Sequence, residues 1–178
     1  MILFVCQANI CRSPLAERLT WHLSHGLRAE SAGTHARAGD PMHPAARELL
    51  AAAGADTTAF GSRRVTAALV AGAGLVLTAT RAQRAHCVTL APAALGRTFT
   101  IRQFGRLAAA VDPGRITATE ARPRLAEVLA EVARARGAVQ PGEDDLADPA
   151  NGTAADMRAC AQTIEAALRP VLALIAVP

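Results

Sequence analysis

The sequence predicts a single-domain α/β fold of three layers: a central four-stranded parallel sheet, doubly wound, with helices on both faces. Three observations carry the prediction. Four short runs read as strands, two of them, Ile2 to Val5 and Leu75 to Leu77, apolar throughout, as strands buried on both faces are. Each is followed by a stretch with helical apolar spacing, and the 178 residues contain no internal repeat and no linker that would divide them. A chain of that length, 51% hydrophobic, can enclose a sizeable core, so residues 1–178 are read as one domain.

Ile2-Leu3-Phe4-Val5 forms the first strand. After the polar interval 6–13, residues 14–23 place apolar side chains at helical spacing, with Pro14 in the first turn, where its missing N–H costs nothing. A second strand covers 27–32 and stops at Gly33; a helix follows over 44–53, closed by Gly54. Residues 74–79 give the third strand and 81–90 its helix, while 98–101 give a short fourth strand and 102–110 a further helix. Over 118–136, Leu125, Val128, Leu129 and Val132 repeat with helical period among Glu and Arg. A loop rich in Pro, Gly and Asp, 137–152, then leads to a long last helix over 153–176. Alternating apolar strands and helices call for a parallel sheet covered on both sides.

Composition narrows the function. All 19 basic residues are Arg, and the chain has neither Lys nor Tyr. The missing Lys excludes a P-loop nucleotidase lysine, a Schiff-base lysine and a Ser-Lys dyad. The net charge of +4 is scattered, Arg63-Arg64 is the one adjacent basic pair, and aromatics are 3% of the chain, so nucleic acid is not an expected partner. Cys6, Cys11, Cys87 and Cys160 form no CxxC pair and no zinc-type spacing with His, so a structural metal site is not expected, and the thiols read as free in a reducing compartment. The opening apolar run lacks a basic flank and is too short for a signal peptide, while 168–177 is interrupted by Arg169 and Pro170 and is too short to span a bilayer. A cytoplasmic protein without a membrane partner is expected.

In a doubly wound sheet, ligands bind beyond the carboxyl ends of the strands. The first such loop is Cys6-Gln-Ala-Asn-Ile-Cys-Arg-Ser13. Cys-x5-Arg alone is a weak signal; its place between a buried strand and a helix start gives it weight. Successive N–H groups of Gln7, Ala8, Asn9, Ile10 and Cys11, with the helix start behind them, make a cradle for a dianion. The same dipoles, with Arg12, favour a thiolate at Cys6. Arg12 can hold two phosphate oxygens as a planar fork. Ser13 can donate to the sulfur and keep it a good leaving group, and Asn9 suits an unusual backbone conformation or the holding of loop carbonyls.

At this point the sequence resembles the low-molecular-weight protein tyrosine phosphatases, in Phe4-Val-Cys-Gln-Ala-Asn-Ile-Cys-Arg-Ser-Pro-Leu-Ala-Glu17 above all, and then in Ser31-Ala-Gly-Thr34, Gly54-Ala-Asp56, Leu75-Val-Leu-Thr78 and Asp148-Pro149. The resemblance spans nearly the whole chain, with extra residues at about 112–142. It implies a phosphomonoesterase in which Cys6 attacks phosphorus, a cysteinyl-phosphate is held by Arg12 and the loop, and Asp148 serves as general acid and then base, with Asp145 and Asp144 as alternatives. Residues 7–11 and Ser13 would bind the phosphoryl group. The implied substrate is a phosphorylated protein, phosphotyrosine above all, or a related aryl or small phosphate ester, and inorganic phosphate is the product.

Departures from the family pattern bear on substrate. Ala8 stands where members usually carry Gly, and at a positive φ it would cost about 1 kcal/mol. Ala150-Asn151 follow Asp148-Pro149 where many members place two aromatics, and His35, Arg37 and Met42 occupy the loop that often supplies another aromatic wall. Ile10 matches the tyrosine-type members; relatives acting on phosphoarginine tend to carry a smaller Thr there.

The remaining candidates carry two readings each. Cys11 is a partner able to trap an oxidised Cys6 as a disulfide, as in similar enzymes, or a small buried residue. Cys87 and Cys160 read as core, and Cys87, alone in its neighbourhood, cannot run the internal relay of related arsenate reductases. His22 and His25 share a helix face but have no third ligand, so packing or surface roles are favoured. His35, His43 and Arg37 should border the pocket, and Arg63-Arg64 either brace the site's loops or are surface charge. An arsenate reductase using an external thiol and a non-catalytic phosphate-binding module are the alternatives to the phosphatase.

Overall fold

A computed structural model describes residues 1–24 and 26–176. Among these, four parallel strands lie in the order β2-β1-β3-β4: β1 (Ile2–Cys6), β2 (Ala29–Gly33), β3 (Leu75–Thr78) and β4 (Thr98–Thr100). Ile2 pairs with both Ala29 and Leu75, and Val76 with Thr98, so the strand ends lie level along one edge. The chain leaves β1 first toward β2 and later toward β3, which makes the carboxyl end of β1 the topological switch point.

The helices are α1 (Arg12–Leu23), α2 (Pro44–Ala52), α3 (Ala67–Gly72), α4 (Arg81–Leu90), α5 (Ile101–Ala108), α6 (Ala121–Ala135) and α7 (Ala154–Ile175), with short 3-10 turns at Pro92–Arg97 and Pro113–Arg115. Side chains alternate across β1 as a two-residue period requires. Ile2, Phe4 and Cys6 face the larger core, with Leu15 and Leu19 of α1, Val128 and Val132 of α6, and Ile164 and Leu168 of α7. Leu3 and Val5 face a smaller core with Val70 of α3 and Cys87 of α4. The helix pattern of 118–136 is thereby explained, because its repeating Val residues enter the same core as the first strand.

Several boundaries shift for identifiable reasons. Ile101 was expected to end the fourth strand, but the Thr100 hydroxyl accepts from the Gln103 N–H and caps α5, so Ile101 opens the helix. β2 begins at Ala29 rather than at residue 27, and α1 begins at Arg12, two residues before Pro14. The short helix α3 was not anticipated: its six residues are too few to display a period, although Thr66 caps it. Thr80 and Thr153 open α4 and α7 with capping boxes completed by Gln83 and Asp156. Gly54 takes φ +76 after α2, the left-handed stop its position calls for.

Candidate active site

The loop 7–11 sits at the switch point, stitched on both sides. Thr34 donates its N–H to Cys6 O (2.9 Å), His35 to Gln7 O (2.8 Å) and His43 to Ile10 O (2.9 Å). Gly33 makes this approach possible: a Cβ there would lie 2.5 Å from Gln7 O and 2.8 Å from Asn9 N. The positive φ falls on Asn9, at 58°, and not on Ala8. This corrects the strain expected at Ala8; Asn tolerates the left-handed region better than other side chains with a Cβ.

Cys6 Sγ is buried at the base of the loop, 3.0 Å from Ser13 Oγ and within 3.2 Å of the Asn9 N–H, which donates to it. Arg12 is the first residue of α1, whose first turn contains no acidic residue to oppose an anion. Its guanidinium, 4% exposed, donates to Leu146 O (3.1 Å) and pairs with the carboxylate of Asp148. The sulfur, the guanidinium and a carboxylate are thus gathered around one helix N-terminus, an arrangement able to bind a tetrahedral dianion beside a nucleophile and a proton donor.

The three acidic candidates of the late loop separate by their partners. Asp144 is buried against Arg106 (2.6 Å). Asp145 accepts from the Arg81 N–H (2.7 Å), while its carbonyl accepts from Arg102 (3.1 Å). Leu146 N–H donates to Ala79 O at the end of β3 (2.8 Å). These contacts strap the loop to the sheet and leave Asp148, half exposed, directed at Arg12. A groove of about 510 Å³ opens beside it, lined in part by Arg102, Asn151, Asp156 and Cys160.

Other candidates are placed as follows. Arg63 braces the site: its N–H donates to Asn9 Oδ1 (2.9 Å), its Nε to Ser31 O (2.9 Å), and its Nη2 pairs with Glu30 (2.7 Å). Arg64 forms a backbone bridge to Gly33. Met42, in the loop where members often place an aromatic, is buried in the main core, whereas Arg37, expected to border the pocket, is exposed and lies 3.9 Å from Asp40. His35 is exposed next to Gln7 and 6.4 Å from the His86 ring, and His43 is half-buried. His22 is exposed in the last turn of α1, and His25 lies outside the described residues. No group of three His, Cys, Asp or Glu suited to a metal ion occurs among the described residues.

The other three thiols are buried and held protonated. Burial pushes Cys11 up to about 12, with the Asp148 charge adding to it, and pushes Cys87 up to about 12 on the opposite face of the sheet. Burial likewise raises Cys160 to about 11, and Arg12, Asp148 and Cys6 all act on it electrostatically. The core reading of Cys160 holds, but its nearness to the site was not foreseen; only the packing of α7 on α1 brings it there. Since the free thiol value is 9.0, each of these groups makes stability fall as pH rises from that value through the raised one. Iodoacetate at mildly acidic pH is expected to alkylate Cys6 before the other three, read by peptide mass spectrometry. Preferential labelling of Cys87 would count against a thiolate at Cys6.

Residues 1–139 match the low molecular weight phosphotyrosine protein phosphatase family. The chain belongs to that family. It is 36% identical over 103 residues to the probable low molecular weight protein-tyrosine-phosphatase EpsP of Ralstonia nicotianae, covering 58% of this chain and 71% of the relative. It is 32% identical over 114 residues to the phosphatase Etp of Escherichia coli K12, covering 64% of this chain and 77% of the relative. Among solved structures, the YwlE arginine phosphatase of Geobacillus stearothermophilus superposes with a TM-score of 0.71 at 26% identity, over 96% of this chain and 88% of that one. The tyrosine phosphatase AmsI of Erwinia amylovora shares the fold with a TM-score of 0.71, at 21% identity, over 97% and 91% of the two chains.

This family consists of phosphatases, so phosphorylated substrates and phosphate as product follow for the chain. The matched residues contain the whole of 6–13 but stop short of Asp148. Asp148, the acid that the resemblance implies, is ion-paired with Arg12, a contact that no one-dimensional pattern shows. Among the described residues, no helix is long and apolar enough to cross a membrane.

Proposed function

We propose that this phosphatase is a cysteine-dependent phosphomonoesterase that works through a cysteinyl-phosphate, with Cys6 as nucleophile, Arg12 as phosphoryl clamp and Asp148 as acid and base. The observation that carries the reading is the convergence of Cys6 Sγ, the Ser13 hydroxyl and the Arg12–Asp148 pair on the N-terminus of α1. The substrate dianion takes the place of the Asp148 carboxylate on Arg12. The Cys6 thiolate attacks phosphorus, the bond from phosphorus to the ester oxygen breaks, and Asp148 gives that oxygen its proton. Water then attacks the cysteinyl-phosphate, Asp148 takes a proton from it, and the sulfur leaves as a thiolate supported by Ser13. Gln7, Ala8, Asn9, Ile10 and Cys11 supply the cradle for the equatorial oxygens. Protons and charges balance with side chains and water alone, so no cofactor is invoked.

The favoured substrates are aryl phosphates, phosphotyrosine in protein among them, with other small phosphate esters next. Ile10 supports the aryl choice over phosphoarginine, and Ala150 and Asn151 leave one side of the mouth without an aromatic wall. We assign the whole chain to one domain, with 112–142 as an addition to it, and place it in the cytoplasm, with neither nucleic acid nor membrane as a partner. Phosphate release from a panel of p-nitrophenyl phosphate, phosphotyrosine peptide, phosphosugar and phosphoarginine tests the reading, beside arsenate with an external thiol reductant. The aryl esters are expected to turn over fastest. A folded protein that binds phosphate without Cys6-dependent release from any ester would overturn it, as would arsenate reduction exceeding ester hydrolysis.

A further inference from the structure

A second concavity, of about 300 Å³, adjoins the loop 7–11 at Gln7 and is lined by Gln7, Thr34, His35, Ala82, Gln83 and His86. None of the six is acidic, and the mechanism above uses neither imidazole. His35 follows β2 and His86 is on α4, yet their rings lie 6.4 Å apart, and both residues are exposed. Gln7, also exposed and next in sequence to Cys6, joins this hollow to the site.

We propose that the concavity is a second anion subsite: His35 and His86 receive the carboxylate of an acidic residue that neighbours the phosphorylated residue in a protein substrate. The proposal takes its substrate from the phosphatase reading above and narrows it to phosphoproteins with acidic flanks.

The donors are placed for this role. His35 is held at two points, its backbone N–H donating to Gln7 O (2.8 Å) and its Nδ1 lying 2.9 Å from the hydroxyl of the buried Thr34. With that hydroxyl donating to Nδ1, the ring hydrogen is on Nε2, which finds no acceptor among the described residues. The His86 side chain likewise makes no hydrogen bond among the described residues. Two imidazole donors thus border one hollow without a protein acceptor. The hollow also meets the start of α4, whose first turn contains no acidic residue. Asp145, which accepts from the Arg81 N–H there, is paired with the Arg81 side chain at 3.4 Å, so its charge is offset.

The spacing of the rings separates two chemistries. Two imidazoles on one tetrahedral metal ion, each bonded at about 2.0 Å, have centroids about 5 Å apart. Two imidazoles donating to one oxyanion at about 2.8 Å have centroids about 6.5 Å apart. The observed 6.4 Å is the second distance, and among the described residues no third metal-ligating side chain completes a site with the pair.

The groove beside Asp148 has the opposite character. Its charged lining residues are Glu143, Asp145, Asp148 and Asp156 against Arg102. An acidic flank is repelled there and accepted at His35 and His86, so the two hollows together orient a bound peptide. The phosphotyrosine ring holds the peptide backbone outside the mouth, and the carboxylate comes from a residue close to it in sequence.

The test is steady-state hydrolysis of four phosphotyrosine peptides, carrying Asp-Glu or Asn-Gln on the amino side or on the carboxyl side of the phosphotyrosine. Wild type, His86→Ala and His86→Glu are compared, and binding of the same peptides is measured by calorimetry on the Cys6→Ser form of each. In wild type an acidic peptide is expected to exceed its amide counterpart about fivefold in kcat/KM on at least one side, through KM with kcat nearly unchanged. His86→Ala should bring that acidic peptide down to the level of its amide counterpart, and His86→Glu should make it the poorer of the two. The same ratios are expected in Kd. His86 is exposed on α4, so these replacements leave the core intact. An acidic preference that survives His86→Ala, a loss in His86→Ala shared equally by all four peptides, or no acidic preference in wild type would each overturn the proposal. An acidic preference in binding, combined with no Cys6-dependent turnover, would support the subsite and count against the mechanism at Cys6 alone.

Discussion

Cys6→Ser is expected to abolish ester hydrolysis, by a factor on the order of 10⁴ or more in kcat, while phosphate binding persists. The loop offers its dipoles and Arg12 to whatever anion lies above Cys6, and it does so with either side chain. What the serine lacks is an accessible anionic form: a hydroxyl at the base of this cradle, in the absence of an adjacent general base, stays protonated, whereas a thiol ionises readily near a helix N-terminus. The measurement is phosphate release from an aryl ester alongside calorimetric titration with inorganic phosphate. Cys11→Ser is the internal comparison. Burial pushes Cys11 up to about 12, so it is a neutral thiol under assay conditions, and its replacement should change turnover little. Hydrolysis by Cys6→Ser within tenfold of wild type would remove the sulfur from the mechanism.

The second large effect is expected at Asp148. Asp148→Asn should slow esters with poor leaving groups by roughly 10²- to 10⁴-fold and esters with good ones much less, because only the former need a proton as the bond breaks. The same substitution frees Arg12, so phosphate and vanadate should inhibit more tightly. With Asp148 44% exposed, the ion pair it forms is worth little more than a surface one, and the gain is about fivefold. Slower chemistry combined with tighter oxyanion binding distinguishes an acid that yields its place to the substrate from a residue that merely holds the loop. Asp144→Asn is the contrast. It breaks the buried contact to Arg106 and should lower thermal stability without steepening the dependence on leaving group. Equal sensitivity of good and poor leaving groups to Asp148→Asn would transfer the proton to another residue.

Those two acids illustrate what could be read from the sequence and what could not. Cys6, Arg12 and Ser13 were legible because one loop and one helix turn contain them, and backbone geometry alone brings them together. The strands were legible for a similar reason, since a strand buried on both faces declares itself in four or five residues. The resemblance picks Asp148, before Pro149, with Asp145 and Asp144 as alternatives; the contacts that give the three different surroundings, to Arg12, Arg81 and Arg106, exist only after folding. The part played by Ser31 was hidden for a similar cause, and the two readings of Arg63 stayed open: both residues bond to the Asn9 side chain from segments distant in the chain. The strain assigned to Ala8 fell one residue along, on the side chain that could best carry it. The start of α5 was missed because Thr98-Phe-Thr-Ile reads as one extended run until the Thr100 hydroxyl is seen capping the turn.

The strap at 144–148 has a consequence for how this chain can vary. Its ties to Ala79, Arg81, Arg102 and Arg106 reset the path of the backbone just before Asp148, whatever route the chain took to arrive. Upstream, Arg136, Gly137, Ala138 and Gln140 to Glu143 lie exposed. The chain is thus open to solvent upstream and tied down where it delivers the carboxylate. Additions and losses upstream of the strap are mechanically insulated from the mouth, which makes that stretch the natural place for lineages to lengthen, shorten or decorate the protein without relearning its chemistry.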